Sequence, residues 1–107
     1  PLVLADEPVA ALDPYHQLRV MELLRDYADS GAALVVVLHD LTLAARFCDE
    51  LLLLREGALV ARGPADEVLS AAHLAEAYRV TALRGEHEDQ RYVLPWRRLA
   101  VEESGDA

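Results

Sequence analysis

Cysteine is nearly missing from this 107-residue sequence. Only Cys48 is present, so no intrachain disulfide can form. A lone Cys48 reads as a small buried hydrophobe, and a reducing compartment is compatible with it. Basic residues are also scarce, ten against nineteen acids, for a formal charge of −9. Apart from Arg97-Arg98 they are scattered. That argues against a nucleic-acid partner, because neutralising phosphates needs clustered Lys and Arg. Long apolar runs are absent too. The longest, residues 32–38, falls far short of the roughly 20 residues that span a bilayer. No basic segment followed by an apolar one opens the chain, so there is no signal-peptide pattern. The sequence starts at Pro1 and not at Met, which reads as an excised or truncated piece. His16, His73 and His87 lack ligand-like spacing and read as exposed helix or loop residues.

What is present suits one small globular domain, with 53% hydrophobic residues to build a core. Residues 2–5 form an apolar strand that stops at Pro8, which cannot continue a central ladder. Asp13-Pro14 reads as an N-cap followed by a first-turn proline, predicting a helix over residues 14–30 that ends at Gly31. Residues 32–38 are β-branched, continuous and uncharged, the pattern of a parallel strand buried on both faces. Asp40 caps a helix over residues 41–48. Residues 50–54 and 58–62 flank Glu56-Gly57 as a hairpin. Gly63-Pro64 opens a short helix to Leu69, and Ser70 caps another to Tyr78. Residues 80–83 and 91–94 predict a small terminal hairpin across a polar loop at 85–90, packed by Tyr78, Tyr92 and Trp96. Residues 102–107 are small and acidic and are expected to be a disordered tail. The fold class is therefore α/β, with parallel core strands, a β-hairpin and short terminal helices. A first strand of this type needs neighbours and helical cover that this stretch of chain does not supply.

The chemistry sits at Asp6-Glu7, two adjacent carboxylates ending an apolar strand. Ligands of open α/β sheets lie at the carboxyl ends of strands. Neighbouring residues there point different ways, so one acid can hold a hard cation such as Mg²⁺ while the other accepts a proton from water. Hydrolytic phosphoryl transfer needs both jobs done in one place. Taken alone, the two acids are more simply a solvated strand end. The surrounding pattern reverses that reading: Asp6-Glu7-Pro8, then residues 9–14, then one helix, then a second buried strand closing on His39-Asp40.

In that order the segments resemble those of the ATP-binding cassette (ABC) family, over nearly the whole chain to about Leu94. Residues 1–8 resemble its Walker B segment, which implies a Mg²⁺ ligand at Asp6 and the general base at Glu7. Ala5 departs from the bulkier aliphatic residue usual there. Residues 10–13 resemble the D-loop, which implies contact with the nucleotide site at Asp13 and coupling across a dimer interface. Val9 and Ala10 stand where Ser or Thr is common. Residues 35–40 resemble the switch segment, which implies that His39 contacts the γ-phosphate. The sequence contains no Gly-rich Walker A loop, no Q-loop and no LSGGQ-like signature.

The resemblance implies that residues 1–101 are the C-terminal part of a P-loop NTPase domain of ABC type. It implies the cofactors ATP and Mg²⁺, transmembrane permease subunits and a second ATP-binding subunit as partners, and a peripheral location on the cytoplasmic face of the inner membrane. ATP hydrolysis is expected of the complete subunit and not of the isolated chain. The tail of the chain resembles that of importers for iron-siderophore, haem or cobalamin complexes. The competing functions are a soluble ABC-type ATPase of DNA repair or translation, and a non-functional truncated remnant.

Overall fold

In a computed structural model that describes residues 2–100, the chain begins with β1 (Leu2–Asp6), whose apolar residues pair with β2 (Ala33–Val37). The pair is parallel, with Leu2 opposite Ala33 and Asp6 opposite Val37. Between them runs α1 (Pro14–Asp29). Asp13 caps it by accepting from the His16 amide, Pro14 supplies the first helical position, and Gly31 follows the helix with φ 108°. This is the strand–helix–strand order predicted from residues 2–38, with no end shifted by more than one residue. The tail expected at residues 102–107 lies outside the described residues.

α2 (Leu41–Phe47) leads away from β2 and joins two hydrophobic clusters. Leu43 lies in a small one with Val9 and Met21. Leu41 lies in a larger one with Leu51, Leu53, Val68, Leu69, Leu74 and Val93. Around that second core are β3 (Leu51–Arg55), β4 (Ala58–Gly63), α3 (Ala65–Val68), α4 (Ala71–Tyr78), β5 (Val80–His87) and β6 (Gln90–Arg98). β3 and β4 form one antiparallel hairpin, and β5 and β6 another.

The terminal hairpin is longer than the sequence suggests. The stretch read as a polar loop is strand through His87, and the turn shrinks to Glu88-Asp89, both at positive φ. Gly85 survives in the strand because it pairs with Tyr92, whose ring lies where a Cβ at Gly85 would be. Pro95 is tolerated because both strands are edges and the register shifts between Val80 and Ala82. Trp96 is exposed and does not pack the hairpin. The strand pair β1–β2 lacks the two-sided cover that its apolar pattern calls for, as expected of this stretch of chain. Only one of its faces is partly covered, while Leu2, Leu4, Val35 and Val37 stand on an open face.

Candidate functional site

Because β1 and β2 are parallel, their carboxyl ends lie side by side, with Asp6 opposite Val37. The chain leaves these two ends as Asp6-Glu7 and as His39-Asp40. Topology alone therefore gathers residues some thirty positions apart at one edge.

Asp6 closes β1 on its open face, with its carboxylate exposed. Glu7 continues the ladder for one more bond, its amide donating to the Val37 carbonyl at 2.9 Å. Its backbone then turns into the left-handed region, φ 50°. That conformation is uncommon for a residue with a side chain and is found at turns and functional sites. The outcome is a Glu7 side chain that is only 25% exposed, with Oε2 3.0 Å from Nε2 of His39. The two groups meet closely without the alignment of a hydrogen bond, and Oε2 is buried with no hydrogen-bond partner. His39, by contrast, is 79% exposed.

The segment after Glu7 is held by local turns. Ala10 N–H donates to the Glu7 carbonyl, Leu12 N–H to the Val9 carbonyl, and the Gln17 side chain donates to the same Val9 carbonyl. Val9 is buried beside Met21 and Leu43 and so anchors the loop to both helices. Asp13 is engaged elsewhere: it accepts from the His16 amide at 2.9 Å and meets the ring Nδ1 at 2.8 Å. Those contacts, the amide first, hold its carboxyl below the usual value. Asp40 caps α2 through the Leu43 amide.

The structure thus brings Glu7 and His39 into contact and sets Asp6 beside them in the chain. Among the described residues, the side-chain contacts of Asp13 are with His16 and not with these three. The described residues contain no group of three or more acids, histidines or cysteines suited to hold a metal by themselves. Gln17 was not singled out from the sequence, and nothing in its neighbourhood there signals that it braces residues 9–12.

Comparisons with known proteins bear on the family and the fold. No protein-family model matches the chain. A hemin import ATP-binding protein of Pseudomonas putida is 42% identical over 92 residues, which is 86% of this chain and 36% of that protein. A hemin import ATP-binding protein of Streptomyces coelicolor is 53% identical over 78 residues, 73% of this chain and 28% of that one. The chain therefore spans about a third of the length of these curated relatives. Among solved structures, an inward-facing ABC transporter of metal-chelate type matches the fold with a TM-score of 0.72 at 24% identity, over 90% of this chain and 39% of its own. The protein cbiO1 of Clostridium perfringens, part of the ABC transporter complex cbiONQ, matches with a TM-score of 0.59 at 26% identity, over 70% of this chain and 30% of its own. Over the segment it spans, the chain belongs to the ABC transporter ATP-binding proteins.

Proposed function

We propose that the chain forms the water-activating part of an ATP site in an ABC transporter subunit that drives haem import. The observation that carries this reading is the Glu7–His39 contact at the carboxyl ends of two parallel strands. Glu7 is the general base. Its Oε2 is committed to no hydrogen bond within the protein, so the carboxylate is not consumed by a structural role and can act as a base in the assembled site. His39 lies within reach of that same water and stabilises charge developing on the γ-phosphate. Asp13 fixes the start of α1 and so sets the course of residues 10–13 along the second subunit of a homodimer.

Asp6 holds the magnesium ion. Mg²⁺ sites commonly use one or two carboxylates and complete their shell with phosphate oxygens and water. An exposed lone carboxylate, without a cluster of protein ligands around it, fits such a shared site. When bound, the ion neutralises charge on the phosphates. The sequence has no phosphate-binding loop, so turnover belongs to the complete subunit and not to this chain alone. That subunit works with transmembrane permease partners from the cytoplasmic face of the membrane.

Haem as cargo rests on the relatives, both of them hemin import ATP-binding proteins. It narrows the wider class of iron-siderophore, haem and cobalamin complexes. The test is deletion of the complete gene in a strain without another haem importer, followed by growth on haem or on ferric salt as sole iron source. The deletion should abolish growth on haem and spare growth on ferric salt. Equal growth of mutant and parent on haem would exclude this cargo.

A further inference from the structure

We propose that Thr42 is a positioning residue for His39, acting through a two-way clasp that makes the terminal hairpin part of the framework beneath the imidazole. This rests on the role given to His39 above. The Thr42 hydroxyl donates to the Val93 carbonyl at 3.0 Å and accepts from the Val93 amide at 2.9 Å. A single side chain thereby does for Val93 what the backbone of a neighbouring strand would do. β6 has β5 on one side only, and Thr42 meets it on the other. Val93 is itself buried, so both of its groups would be left unpaired without the hydroxyl.

The clasp matters because of where it sits. His39 is largely exposed, and Glu7 is its one ion-pair partner among the described residues. The place of its ring is therefore set mainly by the backbone that carries it. The four residues that follow are each pinned. Asp40 caps α2 through the Leu43 amide, Leu41 is buried in the larger core, and Leu43 is buried in the smaller one. Thr42 adds the hydrogen bonds that tie this turn to β6, across 51 positions of sequence. Its branched side chain has two main rotamers in a helix, and the paired bonds to Val93 select one of them. Loosening the tie lets the first turn of α2 slide along Val93, and His39 moves with it.

The experiment uses the complete subunit assembled with its permease, and reads kcat and KM for ATP together with the melting temperature. Thr42→Val keeps the shape and removes the hydroxyl; Thr42→Ser keeps the hydroxyl. Displacement of a catalytic group by about 1 Å can reduce rate up to about a hundredfold, so Thr42→Val should lower kcat by about tenfold. KM should stay within about twofold, and Thr42→Ser should restore kcat. Should Thr42→Val fail to fold, Thr42→Ala sheds the same hydroxyl and is held to the same outcomes. His39→Ala, measured in parallel, separates the two claims. If His39→Ala loses turnover while the hydroxyl-free variants keep the parental kcat, the positioning role is overturned and the role of His39 stands. If His39→Ala keeps full turnover, the role of His39 falls and this inference falls with it.

Discussion

Three acids that follow the two parallel strands do two different things here, and their surroundings decide which. Asp13 and Asp40 spend their oxygens on the amides that open α1 and α2. Glu7 sits one residue past its strand in a left-handed conformation, with an unbonded oxygen facing His39. Capping carboxylates gain stability from their charge, and Asp13 is a case of it. Its carboxyl is lowered below 3.8 by the His16 amide and then by the His16 ring. A lowered folded value means that the unfolded chain binds its proton first as pH falls. The stabilisation is therefore fully present above about pH 3.8 and is lost as pH drops through the lower folded value. In the complete protein, Asp13→Ala should lower the urea midpoint at pH 7, and the gap from the parent should shrink below pH 3.8. A gap that stays constant with pH would show that the charge contributes nothing to the cap.

At the scale of elements, the terminal hairpin carries the clearest local strain. Its two-residue turn, Glu88-Asp89, holds both residues at positive φ, 53° and 65°. Turns of this kind favour Asn-Gly, because a left-handed conformation costs most side chains roughly 1–2 kcal/mol. Replacing Glu88 with Asn and Asp89 with Gly together should therefore stabilise the protein by about 1 kcal/mol in denaturant unfolding. No gain would mean that the turn is held by something other than its own residues. The same turn explains what was hard to read in the sequence. Asp13-Pro14, Gly31 and Glu56-Gly57 announce their helix and turn by local chemistry, and each stands where it was expected. Glu88-Asp89 announces nothing, and Gly85, Glu86 and His87 look like loop until the ring of Tyr92 is seen across from Gly85. The site divides in the same way. That Asp6, Glu7 and His39 gather at one edge is legible from the strand ends and the motif order. The left-handed turn at Glu7 and the Thr42–Val93 clasp arise from tertiary contacts that leave no local signal.

At the scale of the whole molecule, the described chain is elongated, with extents of 50 × 29 × 26 Å. Its radius of gyration of 14.8 Å exceeds the about 13 Å usual for a compact domain of this length. The excess reflects two clusters joined through α2 and a two-stranded parallel pair with one open face. Leu2 is 71% and Leu4 67% exposed on that face, and parallel strands are ordinarily covered on both sides. The chain spans about a third of the length of its curated relatives. The central claim, that Glu7 activates the attacking water, is tested most directly in the complete subunit by Glu7→Gln. Glutamine keeps the shape and can still orient a water, but it cannot accept the proton. ATP hydrolysis should fall at least about a hundredfold while ATP binding persists, and the variant should elute as an ATP-bound dimer in size-exclusion chromatography. A monomer that turns over ATP at the parental rate would contradict the account.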